Sequence, residues 1–140
     1  MPEPELNATA TAELVVGPND LASSISAEHG DSFPAVLATA RMVALMETAA
    51  ARVLQPLLGP GELSVGVTVD ITHSAPTPPG ARVIATARYT DREGKLFVFE
   101  ISAHDEGGEI GRGSHKRAVV ETERLQRAAA KRNPQITHST

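Results

Sequence analysis

Between residues 38 and 54 the apolar positions fall at helical spacing: Met42, Leu45, Met46, Ala49 and Val53 recur every third or fourth residue, and Ala and Leu fill most of the gaps. Only Thr39, Arg41, Glu47, Thr48 and Arg52 interrupt them. A helix apolar around most of its girth belongs in the interior. Thr39 is a candidate cap, with Asp31 and Ser32 as alternatives upstream, and Pro56 and Gly59-Pro60 end the helix. The period then changes. Leu63, Val65, Val67, Val69 and Ile71 alternate with Ser64, Gly66, Thr68, Asp70 and Thr72, which is the period of a strand. Pro76, Pro78, Pro79 and Gly80 break it. Val83 to Tyr89, Leu96 to Ala103 and Ile110 to Glu123 read as three further strands. They are joined by the turns Asp91-Arg92-Glu93-Gly94 and Asp105-Glu106-Gly107-Gly108. Gly111 and Gly113 interrupt the last strand and suggest a bulge.

Upstream, Glu13 to Val16 is a short strand candidate stopped by Gly17-Pro18, and Asn19 to Gly30 is polar with room for a short helical turn. Residues 1–10 carry no apolar pattern and are expected to be disordered. Residues 11–126 form the domain, and 127–140 are expected to fray. The order is strand, long buried helix, four strands. Short links predict that the four later strands pair as an antiparallel meander. One sheet and one apolar helix are both covered when the sheet curls around the helix. This is the α+β hotdog arrangement, with five or six strands wrapped on one long central helix. A ferredoxin-like fold would need a second helix between strands, and none is visible from Leu63 to Glu123. So narrow a sheet leaves an edge and a face to cover, which predicts dimerisation across sheet edges.

A chain of 140 residues suits a single domain with a real core. Aromatic residues make up 3% and Trp is absent, so the core must come from Val, Ile, Leu, Met and Ala. That scarcity, with a formal net charge of -4, argues against nucleic acid as a partner. With no cysteine, disulfides, thiolate metal sites and a Cys nucleophile are excluded. No apolar run is long enough to span a bilayer and residues 1–10 do not read as a signal peptide, so no membrane partner and a cytoplasmic location are expected.

Glu47 is the oddest residue of the helix. It either sits on a narrow solvated stripe with Arg41 or Arg52, or faces a cleft as a general base or nucleophile. His73 ends the first long strand, as an edge histidine or as an imidazole poised beside the helix. Thr39 caps the helix or offers its hydroxyl to a carboxylate, a water or a thioester. Gly66 marks a bulge or a close approach of backbone to ligand. Alternation places His115 and Arg117 on one face of the last strand and Lys116 on the other. That face is a solvated edge or a patch for phosphates. Five scattered histidines lack the paired spacing of a metal site, and no cofactor is expected.

Several segments together resemble the fluoroacetyl-CoA thioesterase family of hotdog enzymes. They are Phe33-Pro34-Ala35-Val36-Leu37-Ala38-Thr39 and Met42-Val43-Ala44-Leu45-Met46-Glu47. Further on come Thr72-His73-Ser74-Ala75-Pro76-Thr77-Pro78-Pro79-Gly80, Ser102-Ala103-His104-Asp105 and Gly113-Ser114-His115-Lys116-Arg117. The likeness runs from about Phe33 to Leu125. It implies hydrolysis of an acyl-CoA by a catalytic set of Thr39, Glu47 and His73. It also implies substrate contacts from Gly66, Arg117 and Phe33, and a homodimer with sites at the subunit interface. In the fluoroacetate-specific member an aromatic-rich lid precedes the helix. Here Ser26 to Ser32 holds no aromatic residue, so a different short or medium acyl group is expected. Eight residues of ideal helix separate Thr39 from Glu47 by about 12 Å. The two therefore meet only through an irregular helix start or across a dimer. The competing readings are a hotdog hydratase or dehydratase and a non-catalytic acyl-CoA or small-ligand binding protein.

Overall fold

The computed structural model describes residues 2–135. Its strands are β1 (Thr9–Val15), β2 (Glu62–His73), β3 (Arg82–Glu93), β4 (Leu96–Asp105) and β5 (Gly108–Glu121). Helix α1 (Thr39–Leu54) lies between β1 and β2, and α2 (Thr122–Arg132) follows β5. The five strands form one antiparallel sheet in the order β1-β3-β4-β5-β2. The architecture is a hotdog.

Alternation builds the inner face. Val83, Ala85, Ala87 and Tyr89 of β3 and Phe97, Phe99, Ile101 and Ala103 of β4 are buried. Met42, Leu45, Met46, Ala49, Ala50, Val53 and Leu54 of α1 pack on them. These are the helix positions that the spacing singles out. Alanines on both surfaces let the helix lie close to the sheet, and the rings of Phe97, Phe99 and Tyr89 fill the remaining volume. The helix rests mainly on β1 and β3, so its Glu47 side is turned toward β2 and β5.

The meander expectation holds for β3, β4 and β5 but not for β2, which pairs with β5 rather than β3. The Pro-rich stretch between β2 and β3 acts as a crossover and not as a tight turn. It carries the chain past the helix, so that β2 and β1 become the two edges. Leu63, Val67 and Val69 are exposed on β2. A bulge at Val67 shifts its register between Gly66 and Thr68. A second bulge on β5, beside Gly111, shifts the β4–β5 register.

The termini differ from expectation. β1 starts at Thr9, Asn7 donates its N–H to the Tyr89 carbonyl, and Arg92 pairs with Glu3, so part of residues 1–10 is tied to the sheet. Sheet pairing decides this where local composition could not. Residues 127–132 belong to α2, an exposed helix rather than a frayed tail. The expectation for 136–140 lies outside the described residues.

Candidate active site

Thr39 is the first residue of α1, with Ala38 at the cap and no side-chain cap bond. The capping reading therefore fails. The hydroxyl is directed elsewhere: Thr39 Oγ1 lies 2.8 Å from His73 Nδ1 at the end of β2. The other ring nitrogen, Nε2, is buried and has no hydrogen-bond partner among the described residues. Thr39 and His73 line a crevice of about 300 Å³ together with Pro34, Val36, Leu37 and Ala75. Ala22, from the segment of short 3-10 turns before α1, also lines it, and backbone bonds from the Ala22 N–H to the Val36 carbonyl and from the Ser23 N–H to the Pro34 carbonyl tie that segment to the approach to α1. Phe33, 45% exposed, precedes the lining residue Pro34 in the chain but does not itself line the crevice.

Glu47 lies two turns further along the same regular helix, so an irregular helix start does not bring it to Thr39. Its side chain is 38% exposed and does not pair with Arg41 or Arg52. It reaches over Gly66, where any Cβ would collide with Glu47 Oε1. The bulge falls at the adjacent Val67, and the close approach at Gly66 is made by the chain's own carboxylate rather than by a ligand. Glu47 Oε1 is 3.5 Å from an Nη of Arg117 and 3.9 Å from His115 Nε2. Arg117 and His115 share the inner face of β5, and Lys116 points outward to Glu93. The pairing Gly66↔Arg117 fixes this convergence.

Arg117 is 7% exposed, with Nε bonded to Ser64 Oγ at 3.0 Å and an Nη bonded to the Ser64 carbonyl at 2.9 Å. His115 is fully buried and bonds the Thr68 carbonyl. This face is not the solvated edge that a string of basic residues suggests. Burial holds the His115 pKa below its ordinary value, and the adjacent Arg117 cation acts in the same direction. Burial likewise lowers the Arg117 pKa, opposed by Glu47.

The protomer thus carries two clusters and not one crevice. Seven residues of β2 separate Gly66 from His73, roughly 20 Å of strand. The expectation that Glu47 and His73 share a crevice is not met within one chain. The imidazole facing Glu47 is that of His115.

A family model described as FlK, fluoroacetyl-CoA-specific thioesterase, matches residues 16–123. The chain belongs to this family. It is 40% identical over 126 residues to the fluoroacetyl-CoA thioesterase of Streptantibioticus cattleyicolor, covering 89% of this chain and 91% of that one. It superposes on a structure of the fluoroacetyl-CoA thioesterase FlK with a TM-score of 0.86 at 38% identity, over 93% of this chain and 98% of that chain. A Thermus thermophilus protein described as a thioesterase superfamily member also matches with a TM-score of 0.86, at 27% identity, covering 96% of this chain and 97% of that one. The family places the chain among the thioester hydrolases and agrees with the curled five-stranded sheet. No helix among the described residues is long and apolar enough to cross a membrane.

Sequence reasoning missed the contribution of His115 and Ser64 to the Glu47 cluster. Alternation had already put His115 beside Arg117. What it lacked was the β2–β5 register, which sets Arg117 opposite Gly66 and His115 opposite Val69.

Proposed function

We propose that the protein hydrolyses a short or medium acyl-CoA thioester to the free acid and CoA. It does so as a homodimer whose sites combine Glu47 of one subunit with Thr39 and His73 of the other. The observation that carries this is the placement of both clusters on one open edge strand. Glu47 lies over Gly66 on β2, and His73 closes the far end of the same strand. Antiparallel pairing of two β2 strands about a two-fold axis between Val69 and Asp70 sets Gly66 opposite His73 of the partner subunit. It also covers the edge that exposes Val67 and Val69.

In this arrangement Glu47 attacks the thioester carbonyl, directly or through a water it deprotonates, and the C–S bond breaks to release CoA thiolate. Arg117 keeps the carboxylate directed over the strand. The Thr39 hydroxyl, held by His73 Nδ1, positions the hydrolytic water at the mouth of the crevice. A backbone N–H beside Gly66 donates to the oxyanion, an effect worth roughly 3 kcal/mol per donor. The crevice beside Phe33 and Pro34 takes the acyl chain. The similar enzyme is named for fluoroacetyl-CoA. Residues 26–32 of this chain are polar and hold no Phe, Tyr or Trp, which supports an unfluorinated substrate.

Thiol release from a panel running from acetyl-CoA and fluoroacetyl-CoA to hexanoyl-CoA tests the reading. Turnover should appear with at least one member and fall on the order of a hundredfold in Glu47→Gln. Tight binding of acyl-CoA without thiol release would favour a binding protein. Loss of an enoyl-CoA without thiol release would favour a hydratase.

A further inference from the structure

We propose that His115 is a positioning residue for this reaction: a neutral imidazole with its proton on Nδ1, it clamps the Arg117 guanidinium so that one N–H is presented to Glu47. The inference rests on the hydrolytic role of Glu47, but its geometry stands on its own.

The two ring nitrogens have opposite partners. Nδ1 lies 2.8 Å from the Thr68 carbonyl oxygen, which can only accept, so Nδ1 carries a hydrogen. Nε2 lies 3.1 Å from an Nη of Arg117, which can only donate, so Nε2 is a bare acceptor. The surroundings thus select one tautomer. The ring is fully buried, with Phe99 tilted against it at 6.4 Å between centroids, so its hydrogen-bonding groups are met by the protein and not by solvent.

Arg117 is held at three points. Nε and one Nη bond Ser64, and the other Nη donates to His115 Nε2. That Nη also lies 3.5 Å from Glu47 Oε1, an ion-pair distance at which its second N–H is available to the carboxylate. His115 Nε2 is itself 3.9 Å from Oε1, too far for a hydrogen bond, and both atoms are acceptors. His115 therefore neither takes a proton from Glu47 nor touches the reacting atoms, but acts through Arg117. The β2 bulge joins the parts: Gly66, below Glu47, and Thr68, the acceptor for His115, flank Val67.

Two substitutions separate the two ends of the ring. In His115→Gln the longer side chain brings an amide oxygen to the Nε2 region and can still accept from Arg117. In His115→Asn the amide reaches the Thr68 carbonyl but falls short of Arg117. The expected result is a kcat within about threefold of wild type for His115→Gln and about tenfold to a hundredfold lower for His115→Asn, with KM little changed in both. Equal losses in the two variants, or none, would overturn the role. Nitrogen-15 NMR of the wild-type ring supplies a readout independent of turnover and of variant folding. A protonated Nδ1 and a bare Nε2 are expected, and a proton on Nε2 would overturn the assignment. If no acyl-CoA is hydrolysed, the function proposed above fails, and the tautomer still decides whether His115 clamps Arg117.

Discussion

Replacing Gly66 by alanine is the most economical test of the Glu47 geometry. The added methyl would collide with Glu47 Oε1 and lie 3.2 Å from His115 Cε1. His115 is fully buried among fixed partners and cannot yield, whereas Glu47, 38% exposed, can swing away. Stability should fall by about 1–2 kcal/mol, because the tight contact with His115 costs roughly 1–3 kcal/mol and alanine recovers roughly 0.5–1 kcal/mol over glycine in a strand. Activity should change a great deal. A displacement of about 1 Å in a reacting group costs on the order of a hundredfold, equivalent to about 2.7 kcal/mol of transition-state stabilisation. The assay is thiol release under saturating acyl-CoA, with a thermal melt alongside. A kcat within about threefold of wild type would refute the reasoning, since it would mean that Glu47 need not lie over Gly66.

Other outcomes follow from single contacts. The folded His115 pKa lies below its ordinary value of 6.5. As pH falls through 6.5 the unfolded chain therefore takes up a proton that the folded chain refuses, and stability is lost below that pH but not above it. The Tm advantage of wild type over His115→Gln should thus shrink between pH 8 and pH 5, and a constant difference in melting scans would contradict the buried neutral ring. Thr39→Val removes the hydroxyl bonded to His73 and should lower kcat roughly tenfold, whereas Thr39→Ser should retain most activity. At Gly113 a Cβ would strike the Asp70 carbonyl and come within 2.7 Å of Ile71 Cα. Because both are backbone of the paired strand, Gly113→Ala should destabilise by about 1–3 kcal/mol in denaturant titration.

The local periods were readable because each element agrees with its own pattern. The helix stripe from Met42 to Val53 and the alternation on β3 and β4 are the buried sets observed. Strand order was not readable. Nothing in Leu63 to His73 says whether β2 joins β3 or crosses to β5, and that choice depends on where the helix must sit. The site inherited the same limit. The Thr39–His73 contact needs α1 to start beside the end of β2, and the Glu47–Arg117 contact needs Gly66 opposite Arg117. Both are long-range register facts. Helix rise alone did show that Thr39 and Glu47 cannot meet in one regular helix, and the structure retains that separation.

The central claim, that each site takes its carboxylate from one subunit and its imidazole from the other, is tested most directly by mixing two inactive variants. Glu47→Gln and His73→Ala, unfolded together and refolded at equal concentration, would yield heterodimers in which one of the two sites has both native groups. Thiol release should then recover to about a quarter of the wild-type rate per subunit, because half of the dimers are mixed and each has one intact site. Activity no greater than that of the two parents, in a mixture shown to contain heterodimers, would contradict a site shared between subunits.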